Sequence, residues 1–511
     1  MSLLDHAIWW HVYPLGFVGA PIRPTLEQPA DPTQAPAPGT LTAWLDYTVA
    51  LGANGLQLGP IFAATSHGYD TIDHFAIDPR LGGDAMFDAL VSACQQRGVL
   101  LMLDGVFNHV GAEHPLVQRA LAEGPDGELA SMFRLEWGPD GGRPAGWEGH
   151  HDLVEFNHDD PRVVDLVARI MEYWVSRGIS GWRLDVAYAV PRTFWREVTS
   201  RVRTAYPQAV FVGEVIHGDY AAFVTEGGLD SVTEYELWKA TWSALADHNP
   251  WELAHALERH DALLETFLPM TFVSNHDVTR IATRVGDAGA AVALVLLMTV
   301  GGTPSLYYGD EQAFRGEKTE RLGGDDEVRP AFPTAPEGLA REGWWMYRLH
   351  QELIALRRRH PWLQACRTRV LEKRETVLVY EAVGAVGADG ERRQQRTSNT
   401  ASTSGETSTS LFIGVGRATG SRAAGGSCGT KAIRAPRTAR IAPGGRPLTG
   451  QVSVQVVPAG MSIIPALRLS PWMGDRWTCP RRPSASMPRV TAGWPSKVTP
   501  LMPTRLSPLG P

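Results

Sequence analysis

Four acids stand out because each follows a short apolar run. The strings are LMLDGVFNH with Asp104, GWRLDVAY with Asp185, FVGEVIH with Glu214 and TFVSNHD with Asp277. Taken singly, each acid reads as a helix cap or a surface carboxylate. Four together, each at the exit of a β-like run, read as one site. Carboxylates gathered in this way can divide the work of acid, base and nucleophile, provided that their surroundings set different protonation states. Arg183 stands two residues before Asp185, so both side chains leave a strand on the same face. A guanidinium there favours the charged carboxylate and is expected to lower its pKa.

Such a site needs a frame that brings strand ends together. Short β-rich runs alternate with longer helical patterns from Ile8 to about His360, which indicates a parallel sheet with crossover helices. The strand candidates are Ile8–Tyr13, Gly55–Leu58, Leu100–Asp104, Gly181–Asp185, Phe211–Glu214, Ser231–Thr233, Thr271–Asn275 and Pro304–Tyr307. Helical segments such as 84–98 and 161–178 begin near an Asp or Pro and end at a Gly. Eight strands with intervening helices predict an α/β fold, the (β/α)8 TIM barrel; a doubly wound open sheet is the structural alternative. In a TIM barrel the active side chains stand at the C-terminal ends of the strands.

The chain divides accordingly. Residues 1–109 form the first part of the barrel, and 161–360 the second. Between them, residues 110–160 are rich in Gly, Pro, Trp and His and too long for an ordinary βα loop, so they read as an inserted subdomain walling the cleft. The Pro-rich stretch 19–40 predicts a surface loop. Residues 361–388 begin a small C-terminal β-domain, degenerate beyond that point. Residues 389–511 read as a polar linker and an atypical basic tail, with 451–465 as its one strong β signal.

Charge marks the same boundary. The net charge is −7, which gives no reason to expect nucleic acid as a partner. From Thr407 onward, however, fourteen Lys and Arg face a single acid, Asp475. That tail is either disordered or a stretch read out of frame, and neither reading gives it a function. Four scattered cysteines, Cys94, Cys366, Cys428 and Cys479, make no disulfide framework, and the N-terminus has no secretory character, so a cytoplasmic location is expected. The longest apolar run, Gly289 to Val300, is too short to span a bilayer and reads as a buried barrel helix, so no membrane is expected.

The four acid-bearing strings resemble the short conserved regions of the alpha-amylase family of glycoside hydrolases, in that family's order. HGYDTIDHFAIDPRLGG (67–83) resembles its segment after the second strand, YYGDE (307–311) that after the eighth, and EFN (155–157) its fifth region. The resemblance covers about residues 6–380. It implies a retaining hydrolase of α-glucans, with Asp185 as nucleophile, Glu214 as general acid/base and Asp277 supporting the transition state. A retaining glycosidase holds its two working carboxylates about 5–5.5 Å apart, one ionised and one protonated. Asp185 and Asp277, as like charges, are expected to raise the pKa of Glu214. The resemblance places His67, Tyr69, Asp104, His109, Arg183 and His276 around the substrate, with Tyr69 stacked on the sugar and the histidines bonded to its hydroxyls.

Departures refine the expectation. Where calcium-dependent amylases carry Lys-His after the nucleophile, this chain has Tyr188 and Ala189. Asn108 matches the other calcium ligand but is a poor site alone, since calcium takes about 6–8 oxygens. No cofactor is therefore required, and calcium, which a backbone carbonyl at Ala189 could still help to hold, stays open but unsupported. GWRLDVAYAVPRTFWREV instead resembles the cyclomaltodextrinase and neopullulanase branch, which favours malto-oligosaccharides. Its first strand begins at Ile8, which argues against that branch's extra N-terminal domain and its manner of dimerisation. Trp137 and Trp147 are candidates for outer sugar subsites, while Trp9, Trp10 and Trp182 read as core. The same trio also serves transglycosylases and sugar isomerases, and a non-catalytic sugar- or protein-binding relative is the third reading.

Overall fold

Eight short parallel strands close into a barrel: β1 (Trp9–Val12), β2 (Gly55–Leu58), β3 (Leu100–Gly105), β4 (Gly181–Leu184), β5 (Val210–Gly213), β6 (Ser231–Val232), β7 (Met270–Thr271) and β8 (Thr303–Tyr307). Neighbours follow the order β6-β5-β4-β3-β2-β1-β8-β7. A parallel bridge from Thr233 to Met270 joins the two ends, so the open-sheet alternative is excluded. This computed structural model describes residues 2–23, 40–139, 141–149, 152–321, 323–374 and 377–384, together with the backbone of two later strands. Residues 1–469 form one unit and 470–511 a second, which lies wholly outside the described residues. So do most of the predicted loop at 19–40 and most of the predicted linker and tail.

Helices follow the strands: α1 (Leu45–Leu51), α2 (Gly83–Arg97), α3 (Pro161–Ser176), α4 (Arg192–Ala205), α5 (Tyr220–Thr225), α6 (Tyr235–Ala246), α7 (Trp251–Leu263), α8 (Ile281–Thr299) and α9 (Trp344–Arg359). Local signals explain their ends. Asp160 caps α3 by accepting from the Arg162 amide, and Pro161 occupies its first position. α8 is long and apolar enough to cross a membrane by composition alone. Its Ala290–Thr299 portion is largely buried in the fold, as the sequence predicts, and Gly286 (φ 71°) interrupts the helical backbone before it.

Alternation along the strands separates two cores. Trp9, Met102, Val210, Val212 and Met270 pack together inside the barrel with Leu4 and Ala7. Their neighbours Trp10, Leu101, Leu103, Trp182 and Phe211 face the helices. Gly55 makes room for Trp9, since a Cβ there would lie 2.4 Å from the indole. One step further along the inward face, apolar residues give way to His11, Asp104 and Glu214. The barrel base is thus a dry plug, and its C-terminal rim is charged.

The insertion pairs His109–Gly111 with Leu153–Glu155 and carries a helix (Pro115–Glu123) and a hairpin (Leu135–Gly138 with Gly141–Pro144). After α9, an antiparallel sheet runs β9 (Arg367–Arg374), β10 (Val377–Val383), β11 (Ser410–Arg417) and β12 (Gly450–Val457). Within the stretch read as linker and tail, β12 falls on the β signal at 451–465, whereas β11 has no counterpart in the sequence reading. The run LFIGVG is short and follows a polar stretch, so only its pairing with β10 reveals it. Tyr380 on β10 shares a 2.6 Å hydrogen bond with Thr299 of α8, which ties this sheet to the barrel.

Candidate active site

Arg183 stands at the centre of the charged rim. Its Nη1 donates to both oxygens of Asp104 (2.8 and 2.7 Å) and to Asp185 Oδ1 (2.7 Å), and its Nη2 pairs with Glu214 Oε1 at 2.7 Å. The register explains the first contact, because Arg183 on β4 lies directly beside Asp104 on β3. Asp185 and Glu214 leave adjacent strands, β4 and β5, so one guanidinium spans both. Glu214 also accepts from the Tyr235 hydroxyl at 2.9 Å and from the Val186 amide at 3.1 Å. Val186 holds φ 49°, a left-handed conformation costly for a β-branched residue, and this turn presents its N–H to Glu214.

Asp277 is gripped separately. Arg329 Nη2 lies 2.8 Å from its Oδ1 and His276 Nε2 lies 2.9 Å from its Oδ2. Asn275 accepts from the Asp277 amide and donates to Tyr235, which links this acid to Glu214. The Tyr69 hydroxyl donates to Asp104 at 3.1 Å and bonds His276, on whose ring Tyr69 stacks at 5.5 Å. His109 bonds the Tyr69 carbonyl at 3.1 Å, and His67 Nδ1 accepts from the Tyr69 amide at 3.2 Å. All nine predicted site residues therefore meet in one connected set of contacts. Trp147 packs beside the His109 ring at 6.3 Å, whereas the Trp137 ring lies over Gly142 in its own hairpin.

Protonation follows from this sharing. Burial pushes the Asp185 carboxyl well above its ordinary value, and Glu214, Asp104 and Asp277 add to the rise against Arg183. Arg183 does lower it, as the sequence leads one to expect, but burial outweighs that pull, and the one guanidinium is divided among three carboxylates. Burial likewise raises Asp104. For Asp277 burial also works upward, but His276, Arg329 and Lys318 outweigh it and hold it well below the usual range. Asp277 is also the most accessible of the trio, with its side chain 32% exposed. Four carboxylates against two guanidiniums leave a buried excess of negative charge, which suits a proton and a developing cation.

A family model of the alpha-amylase catalytic domain matches residues 39–345. The chain belongs to the alpha-amylase family. Among its relatives are a cyclomaltodextrinase of Geobacillus thermopakistaniensis (strain MAS1), 31% identical over 69% of this chain and 62% of that protein. Another is an intracellular maltogenic amylase of Bacillus subtilis (strain 168), 31% identical over 53% of this chain and 48% of that one. The chain spans about half to three fifths of the length of these relatives. A solved debranching enzyme of Nostoc punctiforme is 27% identical, with a TM-score of 0.63 over 81% of this chain and 89% of that chain.

In this alpha-amylase-family site, sequence reasoning missed Val186, Tyr235 and Arg329. Tyr235 sits just past β6, and a search of strand exits for hydroxyls as well as acids would have found it. Arg329 lies in a loop after β8 and carries no local signal. Calcium fits poorly. Asn108 Oδ1 is buried without a donor, but among the described residues no cluster of three or more acids, histidines or cysteines is placed to hold a metal.

Proposed function

We propose that this chain hydrolyses α-1,4-glucosidic bonds, with α-1,6 bonds as a second class, in malto-oligosaccharides and related α-glucans. The reaction retains configuration through a covalent glycosyl-enzyme. The observation that carries this reading is the single Arg183 guanidinium holding Asp185 and Glu214 at 2.7 Å each. Arg183 fixes Asp185 by Oδ1, and Oδ2 is in this reading the attacking atom. Glu214 gives its proton to the glycosidic oxygen as that C–O bond breaks and the Asp185–carbon ester forms. Glu214, now a carboxylate, takes a proton from water, whose oxygen displaces Asp185. Asp277, held ionised by Arg329 and His276, faces the positive charge that develops on the sugar. Tyr69, His67, His109 and Trp147 position the ring and its neighbours.

No metal or other cofactor enters these steps. A cytoplasmic setting is supported by the intracellular maltogenic amylase among its relatives and by the free, buried Cys94 and Cys366. The test is incubation with maltotriose, a cyclodextrin, starch and pullulan, with products identified. Glucose and maltose from maltotriose are expected. Longer or rearranged sugars as the main products would overturn hydrolysis in favour of glycosyl transfer, and an inert protein would overturn the enzyme reading altogether.

A further inference from the structure

Five arginines are buried among the described residues: Arg80, Arg183, Arg280, Arg329 and Arg357. Four of them pair with a carboxylate, through Asp78, Asp104, Asp310 and Asp277 respectively. Arg357 does not. It sits at the opposite mouth of the barrel from the active site and lines a cavity of about 210 Å³ with His6, Ile8, Gly302, Arg358 and Gln364. Its guanidinium donates to the carbonyls of Met298 (3.1 Å), Val300 (2.8 Å) and Gly302 (2.6 Å). Arg358 donates to Gly52 O (3.2 Å), Asn54 Oδ1 (2.7 Å) and the His6 carbonyl. Among the described residues no acid stands against either cation.

The carbonyl partners do not balance this charge. Met298 and Val300 lie at the C-terminal end of α8, whose dipole is worth about half a negative charge. Two full positive charges share the cavity wall. Burial accordingly lowers Arg357 to about 10, the direction for a cation short of a counter-ion, while Arg358 stands at the exposed rim of the cavity. His6, whose carbonyl Arg358 holds, keeps a left-handed φ of 61°, so the chain at the rim is locally strained.

We propose that this cavity binds a phosphate oxyanion, either free phosphate or the phosphate group of a small sugar phosphate. The anion would supply the missing counter-charge and join the segment before β1, the start of β8 and α9. Binding of this kind stabilises the folded state in proportion to ligand concentration.

The test uses the full chain, with inorganic phosphate and glucose 1-phosphate as probes and ionic strength balanced by sodium chloride. Isothermal titration and thermal unfolding are expected to show saturable binding and a rising Tm. Equal effects of the two probes assign the site to free phosphate, and an effect of glucose 1-phosphate alone assigns it to a sugar phosphate. Arg358 is exposed, so Arg358→Gln is expected to fold and to keep its maltotriose cleavage. It should weaken binding about tenfold or more, the worth of one lost charged hydrogen bond, and Arg358→Lys should recover part of it. No saturable binding at constant ionic strength would overturn the proposal. So would equal binding by wild type and Arg358→Gln, which would locate the probe elsewhere, such as the sugar cleft.

Discussion

Arg329 donates from Nη2 to Asp277 Oδ1 at 2.8 Å, although 52 residues separate the two in sequence. The same guanidinium holds the His276 carbonyl through Nε at 3.0 Å and pairs with Asp325 at 3.0 Å. It therefore fixes both the backbone and the carboxylate of the SNHD string. Arg329→Met is expected to lower kcat/KM on maltotriose by roughly a hundredfold, the worth of one buried charge-assisted hydrogen bond of about 1.5–3 kcal/mol. The loss should fall mainly on kcat, because Asp277 acts on charge that appears in the transition state. A change confined to KM would mean that Arg329 only shapes the binding cleft.

Asp185 links activity and stability in opposite directions. Its carboxyl is raised by burial, so in the folded state the neutral form is favoured. The stability this proton supplies is full below the ordinary carboxylate pKa and is lost progressively as pH rises from there to the raised folded value. Catalysis needs the ionised form, which places the acidic limb of the kcat/KM profile above the usual Asp value. Asp185→Asn should cost about four orders of magnitude or more in activity, while raising Tm at pH 7. A variant that is inactive and also less stable at pH 7 would show that the Arg183 pair, and not burial, dominates there.

Much of this arrangement is legible in the sequence because barrel strands are apolar on both faces and then end in acids. The runs before Asp104, Asp185 and Glu214 locate β3, β4 and β5 to within a residue or two. Even β6, only Ser231–Val232, follows from the alternation around it. What is not legible depends on closure. Arg329 and Tyr235 reach the site only once β8 and β6 are in place, and nothing near them in sequence announces a partner. The protonation of Asp185 is hidden for a related reason, since local spacing shows Arg183 beside one carboxylate and only the barrel shows it shared by three. β11 is obscured because its pairing partner, β10, precedes it by a long polar stretch.

Calcium gives a simple discriminating measurement. Asn108 offers one orphan oxygen, and no carboxylate cluster joins it among the described residues. Dialysis against a strong chelator should leave both kcat/KM and Tm unchanged. Loss of either, restored by calcium and not by magnesium, would require a ligand set that the described residues do not provide.

Glu311 carries the last prediction. It is fully buried after β8 and accepts from the Tyr47 hydroxyl at 3.0 Å and the Gly309 amide at 2.9 Å, with the Trp10 indole at 3.5 Å. No cation pairs with it among the described residues, and burial raises its pKa from 4.5 to about 7. The unfolded chain gives up this proton near 4.5, whereas the folded chain keeps it to about 7, so over that window the folded state binds more protons. Stability should therefore fall as pH rises from about 4.5 to 7 and level off above. The difference of about 2.5 pH units corresponds to about 3 kcal/mol. Glu311→Gln cannot ionise and should lose this slope, so the gap between variant and wild type in unfolding free energy should widen steadily from pH 5 to 7. Since Asp104 and Asp185 titrate in both proteins, the difference curve isolates Glu311. A flat difference across that range would mean that the three donors hold Glu311 as a carboxylate despite its burial.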